Sequence, residues 1–273
     1  MAVHEPKLHF FIIFHFPKRT YQLSKHINMK KRLSLLVSAF ISVSAFAQHV
    51  GDPKLTEVWN PVPAIVKPGT TPADAPSDAI VLFNGKDLNA WTGEKGAAAG
   101  WTVENGVVTV KKGTGLITTK QSFGDCQLHI EWRTPAEVVG EGQGRGNSGI
   151  FLMGRYELQV LDSYNNSTYS NGQAGSIYKQ LIPLANASKG PGEWQTYDVI
   201  FIAPRFDAKG RVQSQARITV IHNGVLVQNN ATIWGGTEYI GIAEYKPHGA
   251  KEPISLQDHG NPVSYRNIWI REL

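Results

Sequence analysis

Glu157 and Gln159 are the first residues from which a chemistry can be argued. They lie in a segment where Tyr156, Leu158 and Val160 alternate with Glu157, Gln159 and Leu161. Side chains of an extended chain point alternately to opposite faces. One face of this segment therefore enters a core, and the other presents a carboxyl and an amide side by side on a rigid support. Such a pair suits a hydroxyl-rich ligand, because a carboxylate accepts hydrogen bonds and an amide both donates and accepts them. A half-buried strand with a solvated polar face has the same pattern. The pair alone does not separate the two readings.

The elements that must carry it are strands. Gly149 to Met153 is an apolar run just upstream, joined to the pair's segment at Gly154-Arg155. Ala79 to Phe83, Gly115 to Thr118, Gln195 to Ala203, Ile254 to Gln257 and Val263 to Ile270 read as strands, with Ser176 to Tyr178 as a shorter piece. Gln127 to Arg133 alternates, with Leu128, Ile130 and Trp132 on one face and His129, Glu131 and Arg133 on the other. Trp101 to Val103 and Val107 to Val110 flank Asn105-Gly106, while Ala216 to His222 and Val225 to Gln228 flank Asn223-Gly224. Asn-Gly is the favoured pair for a two-residue hairpin turn, whose central residues both take positive φ. No segment keeps a helical period over three turns. Short strands at this spacing predict an all-β protein, an antiparallel two-sheet jelly-roll sandwich. Gly140 to Gly146 (GEGQGRG) reads as a flexible loop; it is not a phosphate-binding loop, since neither Lys-Ser/Thr nor a helix follows.

The 273 residues carry a formal charge of +5, but unevenly. Residues 1–47 hold seven Lys and Arg against Glu5 alone, leaving twenty basic and twenty-one acidic residues and a net of −1 beyond them. The basic balance thus belongs to a leader, and no footprint for nucleic acid remains. Met29 to Arg32 is a positive n-region, Leu33 to Phe46 an apolar stretch too short to span a bilayer, and Ala45-Phe46-Ala47 a cleavage site. Residues 29–47 are therefore expected to be a signal peptide starting at Met29, residues 1–28 an upstream extension, and the mature protein periplasmic or secreted. Residues 48–77, rich in Pro, read as an arm or linker that Trp59 and Val62 pin locally. The folded domain is expected over 78–273. The single cysteine, Cys126, excludes an internal disulfide and a Cys-based zinc site and reads as a buried thiol. The oxygen-rich loop from Asp162 to Asn171 suits a divalent cation such as Ca2+, without EF-hand spacing. No cofactor is otherwise required, and composition sets no oligomeric state.

Several phrases then combine. LFNGKDLNAW (82–91), GNSGI (146–150), YELQVLDS (156–163), GSIY (175–178), GEWQTYDVIF (192–201), HNG (222–224) and SLQDHGNPVSYRNIWI (255–270) occur in that order. Together they resemble the DUF1080 family, the 3-keto-disaccharide hydrolases and 3-keto-glucoside lyase/hydratase domains, over essentially residues 79–273. Gln195 and Tyr265 stand where that family more usually carries Asn and Phe. The resemblance implies a concanavalin A-like sandwich with one concave sheet, an exported protein and a glycoside or oligosaccharide substrate.

It also implies a mechanism. A ketone at C3 of a sugar acidifies the C2 hydrogen, so a base removes it, the enolate expels the C1 oxygen, and water adds back. On matching positions, the resemblance implies proton transfer by Glu157 and His259, with Asp162 orienting His259 or the sugar. Arg133, Asn147, Gln159, Tyr178, Gln257 and Arg266 are the positions expected to hold hydroxyls and the enolate oxygen. Arg266 reads equally as a structural ion-pair partner, and Asn147 as a turn former. His222, before a hairpin turn, reads as structural. Two alternatives stand beside the elimination: a non-catalytic carbohydrate-binding jelly roll, and a classical glycoside hydrolase with two flanking carboxyls.

Overall fold

The computed structural model describes residues 51–273; the signal read at 29–47 and the extension read at 1–28 lie outside the described residues. Residues 51–63 are the described part of a separate N-terminal unit. Within it Pro53–Thr56 forms one 3-10 turn, capped by the Asp52 carboxylate accepting from the Lys54 N–H. Trp59 and Val62, expected to pin this stretch, are both 76% exposed.

Residues 64–273 form one compact unit built almost wholly of strands. In chain order they are β1 (Ile80–Phe83), β2 (Trp91–Thr92), β3 (Thr102–Glu104), β4 (Val107–Thr109), β5 (Ile117–Phe123) and β6 (Cys126–Arg133). The central pair is β7 (Ser148–Leu152) and β8 (Tyr156–Val160). There follow β9 (Gln195–Ile202), β10 (Arg205–Phe206), β11 (Val212–Ser214), β12 (Arg217–His222) and β13 (Val225–Thr232). The last two are β14 (Glu252–Leu256) and β15 (Ser264–Glu272). An eight-stranded sheet runs β13-β12-β9-β6-β15-β4-β3, with β1 also paired to β15, and a five-stranded sheet runs β2-β5-β14-β7-β8. Every pairing is antiparallel. This is the expected two-sheet jelly-roll sandwich.

The core lies between the sheets and is supplied by the alternation read in the sequence. From the smaller sheet come Ile150, Leu152, Tyr156, Leu158, Val160 and Leu256; from the larger come Leu128, Ile130, Trp132, Tyr197, Val199 and Tyr265, all fully buried. Truncating one such side chain to Ala removes about 2–5 kcal/mol, since the void left behind closes only in part. Both Asn-Gly hairpins form: Asn105 and Gly106 have φ of 49° and 78°, and Asn223 and Gly224 51° and 81°. Two turns of this kind match the twist of the strands they join.

Some elements differ from expectation. The strand read at Gly115 to Thr118 begins at Ile117 instead, because Gly115 has a left-handed φ of 80° and its N–H bonds the Asp258 carboxylate. Ser176 to Tyr178 is not a strand; Ile177 makes isolated bridges to Leu158 and Leu181. The small hairpin of β10 and β11 went unread, being only two and three residues long. Residues 67–77 fold back on themselves through Ser77 and Lys67, and the Ala73 carbonyl accepts from Asn267 and Trp269 on the larger sheet.

Candidate active site

The outer face of the smaller sheet holds a cleft of about 690 Å³, a size that accommodates a small ligand. Its floor is the β7–β8 hairpin. The alternation that sends Tyr156, Leu158 and Val160 into the core turns Glu157 and Gln159 to the cleft, with relative exposures of 4% and 1%. Gly149 is paired with Gln159 and Phe151 with Glu157. A β-carbon at Gly149 would collide with the Glu157 carboxyl, reaching its Cδ at 3.1 Å and the Phe151 ring at 3.1 Å. Glycine there leaves the space in which the carboxyl lies.

Burial pushes the Glu157 carboxyl up to about 8, and no neighbouring charge or donor offsets it. An ionised carboxylate loses its water shell in such a place, so the neutral form is favoured. The main chain of Glu157 is fixed from both sides: its N–H donates to Thr237 Oγ1 at 3.0 Å, and its carbonyl accepts from the Tyr178 N–H at 3.1 Å.

The amides around it form one network. Gln159 Nε2 donates to Gln143 Oε1 at 3.1 Å, and Asn147 Nδ2 donates to the Gln143 carbonyl at 2.7 Å. Gln143 is held by Gly172 and Thr168, to which its Nε2 donates. The Oε1 atoms of Gln159 and Gln257 are buried without a protein partner. Buried acceptors of this kind are costly unless something donates to them, and sugar hydroxyls are suitable donors.

His259 enters from the opposite wall, past the end of β14, and is exposed at the cleft. Its backbone is set by its neighbour. Asp258 turns away and accepts from the N–H groups of Gly113, Gly115 and Gly260 at 2.7, 3.2 and 2.9 Å. The Gln257 N–H donates to the Gly149 carbonyl at 3.0 Å, and the Gln257 carbonyl accepts from Ser148 Oγ at 2.6 Å. Ser148 Oγ in turn accepts from Tyr265 Oη at 2.7 Å, so the hydroxyl that Phe would lack ties this wall to the larger sheet.

Six of the nine residues singled out from sequence thus line one cleft: Glu157, Gln159, Asn147, Tyr178, Gln257 and His259. Three do not. Asp162 is 2% exposed, and its carboxylate accepts from Arg145 Nε at 2.7 Å and the Tyr164 N–H at 3.2 Å. It borders a neighbouring crevice and does not orient His259. Arg133 and Arg266 lie on the outer face of the larger sheet, stacked on Trp194 with guanidinium carbons 4.7 and 4.1 Å from the ring centre. The parity that turns Leu128, Ile130 and Trp132 inward turns Arg133 outward, away from the smaller sheet. Arg266 donates to Glu131 at 2.6 Å, the structural ion pair that was its other reading. Burial alone would raise the Glu131 carboxyl, but the bonds from Asn267 and Arg266 outweigh it and hold the group below the usual carboxylate range.

Sequence reasoning missed Gln143, Phe151, Tyr169, Thr237 and Tyr239, which also line the cleft. Phe151 was available from alternation, being out of phase with core Ile150 and Leu152. Gln143 was concealed in a glycine-rich loop read as flexible. Tyr169, Thr237 and Tyr239 come from loops without any period. Of the other groups weighed, His222 is fully buried, its Nε2 2.9 Å from Gln195 Oε1, and burial lowers it to about 3, so it stays neutral. Gln195 also accepts from the Lys189 and Asn223 nitrogens, a structural hub. In the loop read as a cation site, the Asp162 carboxylate is engaged by Arg145, and the Asn166 amide donates to the Asp162 and Gly142 carbonyls. Asp162, the one carboxylate of this loop, is thus engaged by an arginine.

Residues 78–271 match the model of the 3-keto-alpha-glucoside-1,2-lyase-like domain family. The chain belongs to this family. A 3-keto-disaccharide hydrolase of Bacteroides thetaiotaomicron is 24% identical to it over 262 residues, covering 74% of this chain and 80% of that protein. The crystal structure of a candidate glycosyl hydrolase from Parabacteroides distasonis is 57% identical, covers 81% of this chain and 97% of its own, and superposes with a TM-score of 0.78. A second from the same organism, 23% identical with coverages of 72% and 94% and a TM-score of 0.51, shares the fold. Membership of the 3-keto-alpha-glucoside-1,2-lyase-like family, with these relatives, makes the protein a carbohydrate-active enzyme, glycosyl hydrolase-like in function. No helix among its described residues is long and apolar enough to cross a membrane.

Proposed function

We propose that this enzyme cleaves glycosides already oxidised at C3, by elimination followed by hydration, in the cleft above β7 and β8. One observation carries the reading. Among the described residues lining the cleft, Glu157 is the only carboxyl, and it is the group burial pushes up to about 8. A classical glycosidase needs two carboxyls flanking the bond it breaks. A module that only binds sugar gains nothing from a carboxyl held without donors. A single strong base suits the removal of a carbon-bound proton.

The Glu157 carboxylate takes the C2 proton, and the C–H electrons pass into the C2–C3 enolate. The enolate collapses, the C1–oxygen bond breaks, and its electrons leave on the departing oxygen, which takes a proton from His259. Water then adds across the double bond, its oxygen to C1 and a proton to C2. The sum is 3-keto-glycoside plus water giving 3-keto-sugar plus alcohol, with no net redox change. Asn147, Gln159 and Gln257 hold the ring hydroxyls and the enolate oxygen, where fixed dipoles act strongly because the site is partly dry. On the signal read at residues 29–47, the same proposal puts the enzyme in the periplasm or outside the cell.

The test is turnover of a nitrophenyl glucoside and its 3-keto form, run in deuterium oxide. Release from the keto form alone, with deuterium appearing at C2, is expected. Equal release from the unoxidised glucoside, or retention of protium at C2, overturns the elimination.

A further inference from the structure

The cleft has two chemically different sides. Toward β7 and β14 lie Asn147, Gln257 and His259, while the Gln143 amide bonds Gly172 and Thr168 in the loop that carries Tyr169. Beyond the outer edge of β8, to which Gly175, Ser176 and Tyr178 are bonded, the wall carries three tyrosines: Tyr169 and Tyr178 from one loop, Tyr239 from another. Part of the hydrogen-bonding capacity of this wall is spent within it, and the Lys179 ammonium lies over all three rings. Tyr169 Oη and Tyr178 Oη are 2.6 Å apart. Lys179 Nζ donates to the Tyr239 carbonyl at 2.6 Å and stands 4.3 Å from the centre of its ring. Among the described cleft-lining residues, no carboxyl or amide belongs to these two loop segments. Recognition of a second sugar unit needs such groups for its ring hydroxyls; a planar apolar group needs only faces to stack on.

The loop that presents Tyr239 is closed at its base and open at its tip. Gly236 N–H donates to the Glu244 carbonyl at 3.0 Å, and Gln180 grips the preceding stretch by donating to the Gly235 carbonyl and accepting from the Trp234 N–H. At the tip, Tyr239, Ile240 and Ile242 are 70%, 83% and 91% exposed. Of these three Tyr239 lines the cleft, so a stem braced at its base holds one exposed aromatic ring at the cleft wall.

We infer that the β8-edge side of the cleft is the leaving-group subsite and that it takes an aromatic aglycone, stacked on Tyr239 and facing Tyr169 and Tyr178. This rests on the cleft being the glycoside site proposed above. Tyr239 is then a specificity-determining residue that touches the departing group and takes no part in proton transfer.

Equilibrium binding separates this from the chemistry. Phenyl and methyl glucosides, both unoxidised and in both anomers, are titrated into the full-length protein by calorimetry. The phenyl glycoside of the preferred anomer is expected to bind about tenfold tighter, Y239A to erase the difference, and Y239F to keep it. In parallel, kcat/KM of Y239A is expected to fall about tenfold on a 3-keto phenyl glucoside. Equal affinity for phenyl and methyl glucosides, or a preference that survives Y239A, overturns the inference. A Tyr239-dependent preference without any turnover of keto sugars keeps the subsite and sinks the reaction instead.

Discussion

Gly149 and Glu157 occupy one volume between them: the carboxyl of the second lies where a side chain of the first would stand. They are diagonal neighbours on adjacent strands, since Gly149 is paired with Gln159 and Phe151 with Glu157. Diagonal neighbours on one face of a sheet are within reach of each other's side chains. The Glu157 carboxyl is therefore positioned by the absence of an atom as much as by the atoms around it.

Gly149→Ala is expected to keep the fold and lose the activity. The φ of Gly149 is outside the left-handed region, so alanine adopts this backbone without strain, and the strand itself gains. The new methyl displaces the carboxyl, and a displacement of about 1 Å lowers kcat by about a hundredfold. Melting temperature within a few degrees of wild type together with an unchanged kcat would count against Glu157 being the base in this position.

Glu157 sets two pH dependences of opposite use. As a base it must be ionised, so kcat rises with pH and levels off above about 8. Stability runs the other way. The carboxyl is raised in the folded state, so the folded chain holds its proton through the window from about 4.5 to about 8, where the unfolded chain has already lost it. Unfolding free energy is thus lost across that window as pH rises. Glu157→Gln is expected to lower kcat by about 10²–10⁴-fold. It should also melt higher than wild type at pH 8.5 while matching it more closely at pH 4.5. A variant that is no more stable at high pH would show that the carboxyl is not desolvated.

Asp162 is expected to matter for the shape of the neighbouring loop and not for the chemistry. Asp162→Asn breaks a pair in which the carboxylate is 3% and the Arg145 side chain 14% exposed. Removing one partner of a buried pair costs about 3–5 kcal/mol. The check is urea denaturation beside a pH–rate profile: a lower midpoint is expected, with the alkaline plateau of kcat in the same place.

Arg133→Ala and Arg266→Ala should leave kcat/KM on a 3-keto glycoside within about twofold of wild type, because both side chains face away from the cleft. Arg266→Ala strips Glu131 of one of its two donors and lowers the melting temperature by a few degrees. A tenfold fall in kcat/KM for either variant would place a second substrate contact on the larger sheet.

Most of this architecture was legible because it depends on period. Alternation in the β8 segment fixed which side chains enter the core, and that fixed Glu157 and Gln159 on the cleft. The same rule applied to Gln127–Arg133 places Arg133 on the far side of the molecule from the cleft, since Leu128, Ile130 and Trp132 must face the core. It went unused there because nothing local says which outer face carries a ligand. Asp162 sits just past the end of β8, where strand parity no longer constrains a side chain and a charged partner decides its direction. Tyr239 and Thr237 were illegible for a different reason: their loop is held by bonds from Gln180, Lys179 and Arg155, contacts far apart in sequence.

The lone carboxyl of the cleft has a consequence for sugars that have not been oxidised. Their hydroxyls suit the same amide acceptors, yet their C2 hydrogen is too weakly acidic to be taken, and among the described lining residues no second carboxyl stands beside Glu157 to split the acetal. On the proposed elimination, ordinary glycosides are expected to occupy the cleft as competitive inhibitors of keto-sugar turnover.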